Sequence, residues 1–366
     1  MNKKNLTFLM LAVFLLLASV AFNLTLTHAQ SDTGRSRQVS ATPPEEDPTP
    51  PPLPTIEDTP LVIKSELVNL SVRVIDRDNR PINNLNQNDF KVFEDNVIQP
   101  IEFFEKGEVP TNYSLVIDNS GSMRFQLEKV IEASKIIVGT NRPDDETSII
   151  RFVSSNKIEI LQDFSPNKED LNDALDSLYI EGGKTAIIDA IYLAAERVEN
   201  YEKVRGDDRK RRALILVSDG EDRDSFYKEP QLYELLRESD VQIYAIGFIN
   251  ELDKEGGFIS KSPRGKAKDF LERLAKETGG KVYFPNSLSE LNGIAQDIAS
   301  ELRTQYLISY KPTNDENDGT YRNIKVSVAD GPRNQKRIAI TRSGRKASPE
   351  GGAPTLDTPL KKVKSP

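Results

Sequence analysis

The chain has 366 residues, enough for about two domains of ~150 residues each with room for extensions. Apolar residues make 37% and charged residues 29%, with 22 prolines, no cysteine, no tryptophan and a single histidine, His28; disulfides, thiolate nucleophiles and zinc–thiolate sites are excluded. The formal net charge is −8, and a chain body without His or Cys excludes a Ser-His-Asp triad, a Cys-His dyad and a histidine-held metal, leaving oxygen ligands for any ion.

Met1-Asn2-Lys3-Lys4 precedes an apolar run from Leu6 to Phe22 and then Thr27-His28-Ala29-Gln30. These are the parts of a signal peptide over residues 1–29, cleaved after Ala29. The run is also near the short limit for an uncleaved membrane anchor. Either reading places the body of the chain outside the cytoplasm: secreted, periplasmic or at the cell surface. Removal of Lys3 and Lys4 leaves 47 basic against 57 acidic side chains, net −10. Such a surface repels nucleic acid and anionic membranes.

Residues 30–60 hold Pro48-Thr49-Pro50-Pro51-Pro52-Leu53-Pro54 and predict a disordered, extended linker. Residues 61–111 predict an N-terminal β segment. Val68–Asp76 alternates apolar and polar, and Phe90–Asn96 and Ile101–Phe104 follow between Asn/Asp/Pro turns, as in antiparallel strands. Residues 112–301 alternate apolar β-branched runs with amphipathic stretches. The runs are Tyr113–Ile117, Ser148–Val153, Ala213–Val217 and Val241–Ile246; the helical stretches lie near 125–139, 168–178, 186–203, 230–239, 266–278 and 287–302. This order predicts an α/β fold with a mainly parallel sheet covered by helices, with Lys157–Leu161 as an antiparallel edge. Residues 302–342 return to β character at Gln305–Tyr310, Tyr321–Val328 and Arg337–Thr341. Neither β flank is large enough to bury its own core, so the two are predicted to pair into a small β-sandwich with the α/β domain inserted between them. Residues 343–366, with Lys361-Lys362-Val363-Lys364, predict a disordered, solvated tail.

The first α/β strand runs into Asp118-Asn119-Ser120-Gly121-Ser122-Met123. Working sites of open α/β sheets lie at the carboxyl ends of strands. Asp118, Ser120 and Ser122 are two apart, so an extended loop aims one carboxylate and two hydroxyls at a common point, with Gly121 allowing the tight path between them. Gly182-Gly183-Lys184-Thr185 places Thr185 at the start of a helix, and Val217-Ser218-Asp219-Gly220 offers Asp219 at the end of another strand. Two carboxylates and three hydroxyls suit a hard dication, and few charged ligands leave it electrophilic towards a partner's carboxylate. Each fragment alone is read sooner as a helix cap or a turn; the three in order, each after an apolar strand or before a helix, point to a metal.

This constellation resembles the metal-ion-dependent adhesion site (MIDAS) of von Willebrand factor A (VWA) domains, over about 112–301. Gly182–Ala186 followed by Asp189-Ala190 is similar to the family's second motif. The flanks, with Asp89-Phe90-Lys91-Val92-Phe93-Glu94-Asp95 before and Tyr306–Tyr310 after, are similar to those of bacterial secreted proteins carrying a related domain. The resemblance implies a Rossmann-like, doubly wound fold, magnesium or manganese (with calcium allowed) as cofactor, and a protein ligand offering Asp or Glu. It implies that Ser120, Ser122 and Thr185 ligate through hydroxyls, and Asp118 and Asp219 directly or through water.

Other motifs are weaker. Gly183-Lys184-Thr185 lacks the first glycine of a P-loop, because Leu178 stands there. Ser154-Ser155-Asn156-Lys157 has a serine-acylase spacing without its companion motifs. Glu221–Asp224 and Asn314–Gly319 lack EF-hand spacing, and Arg205-Gly206-Asp207 is a chance triplet. The function expected is a non-enzymatic, secreted or envelope-associated module for protein binding and cell adhesion. The alternatives are a structural scaffold with a stabilising metal and a magnesium-dependent hydrolase, the latter without an evident base other than carboxylates.

Overall fold

A computed structural model describes residues 67–347 except 108, 206–209 and 253–260. The signal segment, the Pro-rich linker, residues 348–366, and Gly206 and Asp207 of the Arg-Gly-Asp triplet lie outside the described residues.

Two antiparallel sheets are built from both flanks of the chain. β1 (Val68–Ile75) and β4 (Ile101–Lys106) share one sheet with β11 (Tyr306–Tyr310) and β13 (Ile338–Ile340), in the order β13-β1-β11-β4. β2 (Phe90–Glu94) and β3 (Val97–Gln99) share the other with β12 (Tyr321–Val328) and β14 (Gly344–Lys346), in the order β14-β12-β2-β3. The alternation of β1 buries Val68, Leu70, Val72 and Val74 with Phe90, Val92, Tyr306, Ile308, Ile324 and Val326 in one cluster. Each sheet needs strands from before and after the central domain, as the small size of each flank predicts.

β14 corrects the expected start of the tail at Ser343. Its three residues pair with β12, Arg345 opposite Arg322, and Arg345 Nε donates to Glu94 Oε2 at 3.0 Å. Glu94 is buried on β2 and also accepts the Tyr310 hydroxyl at 2.5 Å. A polar Gly-Arg-Lys strand shows no apolar alternation, because what it buries is an ion pair.

Between the flanks lies a six-stranded sheet, β10-β9-β8-β5-β6-β7. β5 (Thr111–Asp118), β6 (Glu146–Ser154), β8 (Arg211–Ser218), β9 (Gln242–Gly247) and β10 (Lys281–Tyr283) run parallel, and β7 (Lys157–Ser165) is the antiparallel edge. β5 and β8 are buried at every residue, as strands covered on both faces must be. One face packs on α3 (Ile187–Arg205), α4 (Glu229–Glu238) and α5 (Pro263–Thr278). The other packs on α1 (Leu127–Gly139), α2 (Lys168–Asp176) and α6 (Leu291–Glu301). This is the mixed α/β, Rossmann-like arrangement expected. Among the described residues no helix is long and apolar enough to cross a membrane.

Candidate metal centre

β5 and β8 are parallel neighbours, with Ile117 opposite Val217. Beyond them the sheet grows in opposite directions, β6 beside β5 and β9 beside β8. Such a switch point opens a crevice at the carboxyl ends of the two strands, where Asp118 and Asp219 stand.

Asp118 is wholly buried. Its Oδ1 accepts the Ser120 amide at 2.9 Å and its Oδ2 the Ser218 hydroxyl at 2.7 Å. Burial, and next the negative charge of Asp219, push its carboxyl up to about 6; hydrogen bonds from Ser120 and Ser218 pull the other way. Among the described residues no lysine or arginine pairs with either carboxylate, and Arg223, four residues beyond Asp219, pairs with Glu221 instead. A buried pair of repelling carboxylates without a cation is a site whose charge is unbalanced.

Ser120 is extended and precedes a single 3-10 turn, Gly121–Met123, which brings the Ser120 and Ser122 hydroxyls to 2.9 Å of one another. The expected convergence is present, but through a turn rather than an extended loop. Gly121 corrects its expected role: its φ is not positive and a Cβ there would meet nothing within 4 Å. The glycine that geometry requires is Gly220, at φ +83°, where a Cβ would also press on Leu271 and Ala267 at 3.0 and 3.1 Å. Asp219 Oδ1 accepts the Glu221 amide at 3.0 Å, so the turn expected at Asp219-Gly220 also forms.

Thr185 is buried two residues before α3, and its carbonyl accepts the amides of Arg223 and Asp224 at 2.8 and 3.1 Å. Asp189, in the first turn of α3, accepts the amides of Phe226 and Tyr227, each at 2.9 Å, and the Ser155 hydroxyl at 2.6 Å. The loop after Asp219 is thereby bonded to the segment carrying Thr185. On the other side, Asn119 Nδ2 donates to the Tyr179 carbonyl at 2.7 Å and the Glu181 amide to the Asn119 carbonyl at 2.9 Å. Three loops distant in sequence thus abut around one crevice. Sequence reading passed over Ser218, although it adjoins Asp219, and gave Asp189 no role beyond a motif match; nothing local signals that its carboxylate reaches residues 37 and 38 positions later.

Among the described residues no three His, Cys, Asp or Glu side chains cluster to hold a metal. The Asp118 and Asp219 carboxylates and the Ser120 and Ser122 hydroxyls are hard oxygen donors, of the kind that suit a hard dication. The weaker motifs resolve as structure. Ser154 Oγ donates to Asn156 at 2.8 Å while Lys157 pairs with Glu181, and Asp318 accepts the Thr320 amide at 2.9 Å in a turn.

Residues 114–297 match the family model of the von Willebrand factor type A domain. No curated protein matches the sequence. Among solved structures the chain is similar to an aerotolerance-related membrane protein from Bacteroides fragilis, at 20% identity over 52% of this chain and 98% of that one, with a TM-score of 0.40. It is similar to proximal thread matrix protein 1 from the mussel byssus with a zinc-occupied MIDAS motif, at 20% identity over 54% and 48%, TM-score 0.42. A third is a von Willebrand factor type A protein from Catenulispora acidiphila, at 13% identity over 71% and 75%, TM-score 0.42.

Proposed function

We infer, from the premise that the chain belongs to the von Willebrand factor type A domain family, that its crevice is a metal-dependent binding site for a protein partner. Ser120, Ser122 and Thr185 hold the ion through their hydroxyls, and Asp118 and Asp219 balance its charge directly or through water. Magnesium is the resident ion proposed, with manganese able to replace it and calcium a looser substitute. The bound ion supplies an electrophilic position for an acidic side chain of the partner. Ser218 orients Asp118 through its hydroxyl, and Asp189 and the Thr185 carbonyl hold the Asp219 loop in place. The chain works outside the cytoplasm, with residues 1–29 as its export signal.

The buried carboxylate pair supports this reading most directly: folding brings Asp118 and Asp219 together at the carboxyl end of the sheet, and no lysine or arginine among the described residues pairs with either. A ligand that binds only the folded state at 100 times its Kd stabilises it by about 2.7 kcal/mol. For a domain of this size that raises the Tm by about 5–10 °C. Thermal unfolding of the full chain in magnesium should show this rise over EDTA, and Asp118→Ala should abolish it. Equal Tm in both media, with no heat of magnesium binding by calorimetry, would sink the proposal.

A further inference from the structure

Arg151 stands on β6 beside Ile117, one register step from the Asp118–Phe152 pair, and is only 7% exposed. Glu159, opposite it on β7, accepts from its Nε at 2.6 Å. The guanidinium lies 4.3 Å from the centroid of the Tyr179 ring and donates through Nη2 to the Tyr179 hydroxyl at 2.8 Å. Its Nη1 is buried without a hydrogen-bond partner. A buried guanidinium that leaves a nitrogen unpaired is a poor source of stability, so what it holds in place matters more than the ion pair itself. It holds the segment leading to Thr185. Tyr179 and Glu181 are bonded through their backbones to Asn119, which stands between Asp118 and Ser120: Asn119 Nδ2 donates to the Tyr179 carbonyl at 2.7 Å, and the Glu181 amide to the Asn119 carbonyl at 2.9 Å. Their side chains are bonded to the sheet edge, Tyr179 to Arg151 and Glu181 to Lys157 of β7, with Arg151 Nη2 a further 3.7 Å from Glu181. Two residues later the chain presses on β6 again, since a Cβ at Gly183 would meet Val153 Cγ1 at 2.5 Å. The path to Thr185 is thus fixed on one side by the loop carrying Ser120 and on the other by Arg151.

We propose that Arg151 is a positioning residue of the metal centre, which fixes Thr185 relative to Ser120 and Ser122 and so sets a preference for magnesium over calcium. This rests on the metal-binding reading above. Magnesium demands a near-octahedral shell with oxygens at about 2.0–2.1 Å, whereas calcium accepts irregular shells at about 2.3–2.6 Å. A residue that sets only the spacing of the ligands therefore acts on magnesium far more than on calcium. Lysine cannot replace it. A compact ammonium can meet Glu159, but it has no plane to lay on Tyr179 and no fork to reach Glu159 and the hydroxyl together.

The test measures magnesium and calcium Kd by calorimetry, and Tm in EDTA, for the full chain as wild type, Arg151→Lys and Tyr179→Ala. Tyr179→Ala removes a half-exposed side chain and keeps the carbonyl that Asn119 binds, so it tests the clamp even if Arg151→Lys fails to fold. Magnesium should weaken by about ten- to a hundredfold in each variant, and calcium by less than about threefold. A lower Tm in EDTA with an unchanged ratio of the two affinities would make Arg151 merely structural and overturn the proposal. So would an equal loss for both ions, or a wild type that binds them alike; each of these leaves the metal site standing. A wild-type chain that binds neither ion overturns the metal reading and the clamp together.

Discussion

Asp118 stands where folding alone disfavours a charge, buried and facing the negative Asp219. Removing the second charge while keeping its turn separates the two demands made on the pair. Asp219→Asn retains an oxygen for the Glu221 amide, so in EDTA it should be no less stable than wild type, and more stable by up to about 1 kcal/mol as repulsion on Asp118 is relieved. The same variant should lose the magnesium-dependent rise in Tm. Melting both proteins in EDTA and in magnesium checks this, and a large loss in EDTA would mean that Asp219 is structural. Asp240 is the opposite case. Burial pulls its carboxyl up, yet the positive charge of Arg212, bonded at 2.8 and 2.9 Å, holds it below the usual 3.8. A carboxyl depressed on folding contributes stability that is complete above about 3.8 and is lost as pH falls through the folded value. Asp240→Asn should cost about 3 kcal/mol near neutrality, and urea unfolding should show the gap to wild type closing in acid.

Among the elements, the long ones were legible because burial imposes a period. The apolar face of α1 and the unbroken apolar runs of β5 and β8 leave a pattern of ten residues or so that composition cannot imitate. The three-residue strands β3, β10 and β14 were not legible, since three residues alone cannot display a period; the equally short β13 was found only because it sits in the longer β-rich run Arg337–Thr341. The candidate site divides the same way. Asp118, Ser120 and Ser122 are neighbours whose spacing carries chemistry, whereas Ser218 and Asp189 act through contacts 100 and 37 residues away. β14 gives the sharpest test at this scale. A chain ended after Ser343 leaves the buried Glu94 without Arg345, and should be less stable than one ended after Ala347 by about 3 kcal/mol or more. Urea denaturation of the two truncations measures this; equal midpoints would make β14 dispensable.

Among the described residues, the two flanks of the chain interleave in a β-sandwich and are separated in sequence by the domain that carries the crevice. Ion pairs tie the sandwich to that domain: the buried Arg73 of β1 meets Glu301 of α6 at 3.0 Å, and the partly exposed Lys346 of β14 meets Glu234 and Glu238 of α4 at 2.7 and 2.9 Å. Arg211, at the start of β8, donates to the carbonyls of Leu302 and Gln305 where α6 passes into β11. Burial lowers its guanidinium to about 10. The result is a crevice at the carboxyl end of a rigid sheet, with an acidic chain around it and hydroxyl donors within it. The most direct test is a crystal of the full chain grown with manganese, with data collected at the manganese edge. The account predicts an anomalous peak in the crevice, about 2.0–2.3 Å from oxygens that include the Ser120 and Ser122 hydroxyls. A manganese peak bound elsewhere, or none at concentrations that raise the Tm, would contradict it.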